Sequence, residues 1–158
     1  MIHGLRFFEP DDKMIAWLRN YIGKRIPVDV GCGYGDLLLE LNMGGIGIEP
    51  FAEIDLTKKL DMNLDNNIQI ITLQVQQCGA ILKGLQGKAI MIFARPCHSS
   101  FVEEGIALAP TGMEILYITK PSNIEDYCDL GQFDGQKKLI KHEGKGEEDE
   151  VVYSIIKK

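Results

Sequence analysis

Val28-Asp29-Val30-Gly31-Cys32-Gly33-Tyr34-Gly35-Asp36 holds three glycines at alternate positions between a run that reads as a strand and a run that reads as a helix. Glycines are required where a chain turns tightly, adopts positive φ, or lets a ligand touch the backbone, and the helix that follows offers N–H groups to an anionic ligand end. The spacing is not that of the dinucleotide fingerprint Gly-x-Gly-x-x-Gly, whose third glycine would fall on Asp36. The Walker pattern for triphosphates is also absent. Asp29 sits two residues before Gly31, so a pyrophosphate would meet a carboxylate, whereas a ligand with a positive amino group suits it. Glu49 follows 18 residues after Gly31, near the spacing at which an acidic group accepts hydrogen bonds from ribose hydroxyls. Together these residues point to a nucleoside-like ligand that carries a cation.

A second group, Arg95, Cys97 and His98, follows the fourth predicted strand. The four cysteines, at 32, 78, 97 and 128, form no Cys-x-x-Cys pair, and the three histidines are scattered, so no metal site and no thioredoxin-like motif is expected.

The elements that must position these residues alternate along the chain. Asp11 to Ile22 reads as a helix capped by Asp11 or Asp12, with Met14, Ile15, Leu18, Tyr21 and Ile22 on one face and Gly23 as its stop; Trp17 lies off that stripe, as a partner surface or a packing margin. Strands are predicted at Pro27 to Val30, Gly45 to Glu49, Ile68 to Leu73, Ala89 to Phe93 and Glu114 to Thr119. Helices are predicted at Asp36 to Leu41, Phe51 to Leu60, Val75 to Leu85, Phe101 to Leu108 and Ile124 to Leu130. The strands at Ala89 and Glu114 are almost wholly apolar, as for a parallel sheet covered on both faces. Lys138 to His142 and Val151 to Ile156 have no room between them for a crossover helix, so they should pair antiparallel. The predicted fold is α/β: a three-layer, Rossmann-like open sheet of seven strands, mostly parallel, ending in an antiparallel β-hairpin. In such sheets ligands bind beyond the carboxyl ends of the strands, where the glycine loop, Glu49 and the Arg95 to His98 group should meet.

A length of 158 residues with 45% hydrophobic and 25% charged residues fits a single packed domain over residues 1–158. A net charge of −6 argues against a dedicated nucleic-acid binder, leaving no strong nucleic-acid signal. No apolar run approaches a membrane span and the start of the chain carries no signal-peptide pattern, so no membrane association and a cytoplasmic location are expected, with reduced thiols. The acidic run Glu147 to Glu150 reads as a solvated loop, and Leu5-Arg6-Phe7-Phe8 either folds over the crevice or packs on the core.

The chain resembles the class I S-adenosylmethionine-dependent methyltransferases. Val28-Asp29-Val30-Gly31-Cys32-Gly33-Tyr34-Gly35 is similar to that family's first motif and Gly47-Ile48-Glu49-Pro50 to its second, and the order of elements matches nearly end to end. The resemblance implies S-adenosylmethionine as cofactor, with Asp29, Gly31, Cys32, Gly33 and Gly35 around its methionine end and Glu49, followed by Pro50, on both ribose hydroxyls. Gln74, in Leu73-Gln74-Val75-Gln76, stands where the family meets the adenine. Arg95, Cys97 and His98 would face the methyl acceptor. Pro96-Cys97 is faintly similar to the Pro-Cys pair of cytosine carbon-5 methyltransferases, whose thiolate adds to the ring, and His98 has the pKa range of a general base. The Asp/Asn-Pro-Pro-Tyr/Phe motif of the amino-group methyltransferases is absent, so neither the acceptor nor a catalytic residue is identified. The short chain leaves little for acceptor recognition. It is consistent with a small methyltransferase, with one that relies on a protein partner for specificity, or with an inactive methyltransferase-fold protein serving as a binding or scaffold module.

Overall fold

The computed structural model describes residues 11–32, 35–49, 68–71, 77–94, 101–119, 137–142 and 151–158. Helix α1 (Asp12–Ile22) begins because the Asp11 side chain accepts the Met14 N–H at 2.8 Å, and it ends at Gly23, whose N–H returns to the Arg19 carbonyl. Its predicted stripe is the docking face: Met14, Leu18 and Ile22 are buried. Trp17 packs at the margin of the same cluster and stacks on Tyr21, with ring centroids 5.1 Å apart.

The strands β1 (Ile26–Val30), β2 (Gly45–Ile48), β3 (Ile68–Ile71), β4 (Ala89–Ala94), β5 (Glu114–Thr119), β6 (Lys137–His142) and β7 (Val151–Ile156) form one sheet in the order β3-β2-β1-β4-β5-β7-β6. The first five are parallel; β7 pairs antiparallel with both β5 and β6. The expected hairpin therefore inserts its second strand against β5 and leaves its first at the sheet edge. Helices α2 (Asp36–Leu41), α3 (Gly79–Gly84) and α4 (Phe101–Leu108) complete the described elements.

Alternation along the strands builds the two interfaces. Val28, Val30, Met91, Phe93, Ile115 and Tyr117 face Leu82 of α3 and Val102 and Ile106 of α4; Ile90, Ile92, Leu116 and Ile118 face α1 and α2. Helix α4 lies close on β4 because position 105 is glycine: a Cβ there would stand 2.7 Å from Phe93 Cζ.

Two expectations need correction. The helix placed at Val75 to Leu85 starts only at Gly79: Gln77 and Cys78 precede it, and the Cys78 carbonyl opens its ladder by accepting the Leu82 N–H. Cys78 keeps the apolar spacing because it is buried in the core, and glycines at 79 and 84 bound the short helix. Strand β2 stops at Ile48, leaving Glu49 just beyond it. The helices expected at 51–60 and 124–130 lie outside the described residues, as do Phe7 and Phe8. Among the described residues no helix is long and apolar enough to cross a membrane.

At the amino ends of the strands, Glu114 gathers Arg25, Tyr21 and Ser154. Arg25 Nη1 donates to Oε1 at 2.6 Å, Ser154 Oγ donates to Oε2 at 2.5 Å, and the Tyr21 hydroxyl donates to Oε2 as well. This network ties α1 to β5 and β7 on the sheet edge opposite the glycine loop.

Candidate functional site

Asp29 is the fourth residue of β1, with Gly47 of β2 and Ile92 of β4 as register partners. Its neighbours Val28 and Val30 point to the α3 and α4 side, so Asp29 points to the α1 and α2 side, where it is 3% exposed. The chain then leaves the strand through Gly31 at φ 78°, a conformation that favours glycine. The Gly31 and Cys32 N–H groups both donate to the Ile48 carbonyl, at 2.7 and 3.3 Å, folding the loop back over the end of β2. Gly35, at φ 86°, donates to the Cys32 carbonyl at 3.0 Å and accepts from Leu39 at 2.9 Å, opening α2.

Glu49 continues the β2 ladder by one residue, its N–H donating to the Ile71 carbonyl at 3.1 Å. That bond keeps it in strand register, two positions beyond Gly47 and so on the same face as Asp29. It too is 3% exposed. The Asp29 carboxyl is pushed up to about 7, first by burial and then by the charge of Glu49. Two carboxyl groups thus sit together in a poorly solvated place at the carboxyl ends of adjacent parallel strands. A cation beside Asp29 would restore its ionised form, and a carboxyl group such as that of Glu49 can accept hydrogen bonds from ligand hydroxyls. The residues present fit a ligand with both groups.

Of the residues singled out by sequence, the structure brings together Asp29, Gly31, Cys32, Gly35 and Glu49. Gly33, Pro50, Gln74, Arg95, Cys97 and His98 lie outside the described residues. Sequence reasoning did not single out Gly47 as a site position. Its signal was available, since a glycine inside a strand marks close approach by another part of the chain.

No family model and no curated protein matches the chain. Solved structures do. The T. thermophilus 16S rRNA N2 G1207 methyltransferase in complex with AdoMet and guanosine superposes with a TM-score of 0.60 and 20% identity over 99% of this chain and 44% of its own. The N-methyltransferase NodS from Bradyrhizobium japonicum gives 0.59 and 8% identity over 92% of this chain and 93% of its own. Fibrillarin in its complex with Nop5p gives 0.58 and 12% identity over 85% and 73%. At these identities the likeness concerns architecture. With its seven strands in the order β3-β2-β1-β4-β5-β7-β6 and β7 reversed, the chain has the fold of the class I S-adenosylmethionine-dependent methyltransferases.

Proposed function

We propose that the protein binds S-adenosylmethionine between the glycine loop and Glu49 and transfers its methyl group to an acceptor. The observation that carries this reading is the burial of Asp29 and Glu49 together on one sheet face at the carboxyl edge, under a loop tied to the end of β2. Asp29 would take the methionine ammonium of the cofactor, the Gly31 to Gly35 loop, Gly33 and Cys32 included, its methionine end, and Glu49, followed by Pro50, the ribose hydroxyls. Gln74 is assigned to the adenine side and Arg95, Cys97 and His98 to the acceptor side. The cofactor supplies an already activated methyl group, so the protein's part is alignment and the exclusion of water. Asp29 would hold the methionine end of the ligand and Glu49 its ribose, two separate points that fix its direction in the crevice.

The solved structures that share the fold include an rRNA methyltransferase bound to guanosine and a complex with a protein partner, so acceptors of different chemistry and a partner that supplies specificity both belong to the proposal. Methyl transfer from labelled S-adenosylmethionine to a panel of RNA, protein and small-molecule acceptors tests it. Transfer that disappears in Glu49→Gln supports an enzyme. Cofactor binding without transfer to any acceptor, alone or with cell extract, favours a binding or scaffold module built on the same fold.

A further inference from the structure

Gly47 stands beside Asp29 in the β1/β2 register and two residues before Glu49, so it is the strand position between the two carboxyl groups. A Cβ at that position would lie 2.5 Å from Cys32 Sγ, 3.1 Å from Cys32 Cβ and 3.4 Å from Ile70 Cγ1. The Cys32 side chain therefore fills the space a side chain at 47 would take, and Ile70 of β3 closes the space from the other side.

We infer that Gly47 is a positioning residue for the cofactor site: its bare backbone is a socket that seats Cys32 and so sets the height of the Gly31–Cys32 turn between Asp29 and Glu49. The inference rests on the cofactor reading above. Among the restraints on the glycine loop, two hold Cys32 against β2. Its N–H is held by the Ile48 carbonyl at 3.3 Å, one residue after the socket, and its thiol is held by the socket itself. Rotation about χ1 moves only Sγ. The Cys32 Cβ moves only with its backbone, so a methyl group at 47 lifts the turn and lengthens the two bonds to Ile48. The groups that move are joined to both acids along the chain: Gly31 follows Asp29 by two residues, and Ile48 directly precedes Glu49. A small change in the socket is thereby passed to the relative placement of the two carboxyl groups, in the space where the ligand is expected.

The test uses the full chain with Gly47→Ala and the double variant Gly47→Ala with Cys32→Gly, which removes both Sγ and Cβ from the socket. Affinity for S-adenosylhomocysteine is read by calorimetry, and alkylation of Cys32 by iodoacetamide is read by peptide mass spectrometry. Gly47→Ala is expected to weaken binding about tenfold or more, the size of effect that overpacking by one methyl group produces. It should also speed alkylation of Cys32 about fivefold or more, because an unseated thiol is open to reagent. Removing the Cys32 side chain in the double variant should recover most of the lost affinity, a rescue that a general loss of stability does not give. Cys32→Val, which overfills the socket from the loop side, serves where Gly47→Ala does not fold and carries the same expected loss. Folded Gly47→Ala that binds like the wild type overturns the inference, as do equal alkylation rates in the two proteins. Wild-type protein that fails to bind while Gly47→Ala still speeds alkylation faults the cofactor reading and leaves the socket standing.

Discussion

Asp29 and Glu49 lie on the same face of adjacent parallel strands, each 3% exposed, and the charge of Glu49 joins burial in raising the Asp29 carboxyl to about 7. Apolar side chains at both positions would cover the sheet at lower cost in desolvation. Under the proposed function, the pair meets a ligand that brings a cation and hydrogen-bond donors.

The first expectation concerns stability. A carboxyl whose pKa is raised in the folded state from 3.8 to about 7 favours folding least when ionised. Relative to its fully protonated form, below pH 3.8, the contribution of Asp29 falls as pH rises and is lost once pH passes 7. The whole shift corresponds to a cost of about 4 kcal/mol. Asp29→Asn removes the ionisation, so it should be more stable than wild type at pH 8 by about 2 kcal/mol, part of the gain being offset by a buried amide. Near pH 4 the ionisation gain is gone while the amide offset stays, so Asp29→Asn should there be less stable than wild type by about 2 kcal/mol. Urea unfolding of both proteins at the two pH values checks this, and a variant that loses stability at pH 8 contradicts it.

Ligand binding should be linked to the same proton. If the cofactor ammonium sits beside Asp29, binding drives the carboxyl to its charged form and releases roughly half a proton per site at pH 7. Affinity should therefore fall as pH drops from 8 to 6, by up to about tenfold per unit. Calorimetry in two buffers of different ionisation heat counts the released proton. Unchanged heats in the two buffers at pH 7 would separate Asp29 from the ligand cation.

The amino-edge network should act on stability alone. Burial would raise the Glu114 carboxyl, but hydrogen bonds from Arg25, Ser154 and Tyr21 together with the Arg25 charge outweigh it and hold it below the ordinary range. Stability from this group is present above the unfolded value of 4.5 and is lost as pH falls through the lower folded value. Glu114→Gln should cost about 2 kcal/mol at pH 7. Cofactor affinity should not change, since Glu114 begins β5 at the opposite edge. Chemical denaturation beside a binding titration separates the two effects.

Close packing of α4 gives a test of the core. Gly105→Ala would put a methyl group 2.7 Å from Phe93 Cζ and 3.2 Å from Met91 Cε, both in fully buried side chains. The cost of forcing them apart should exceed the helix propensity gained by alanine, leaving a net loss of about 1–2 kcal/mol. A thermal midpoint that rises instead would show slack in the α4–β4 interface.

Much of the fold was legible because strand composition and helix spacing agree with burial. The apolar runs of β4 and β5 mark a sheet covered on both faces, and Met14, Leu18 and Ile22 gave the docking face of α1. The start of α3 was misplaced because Cys78 keeps apolar spacing while serving as the residue ahead of the helix, so periodicity runs past the true boundary. In the site, Asp29, the loop and Glu49 were readable from glycine spacing and the position of an acid at a strand end. The seat of Cys32 on Gly47 was not. It depends on the register between β1 and β2, which places position 47 beside position 29, and one chain pattern does not state register between two parallel strands.

The central claim is that Asp29 and Glu49 hold one S-adenosylmethionine-type ligand. Calorimetric titration of the wild type, Asp29→Asn and Glu49→Gln with S-adenosylhomocysteine at pH 8 tests it most directly. The account predicts one site per chain in the wild type and an affinity at least about tenfold weaker in each folded variant, the loss of one charge-assisted contact. No detectable heat with folded wild-type protein, or variants that bind as tightly as the wild type, would contradict it.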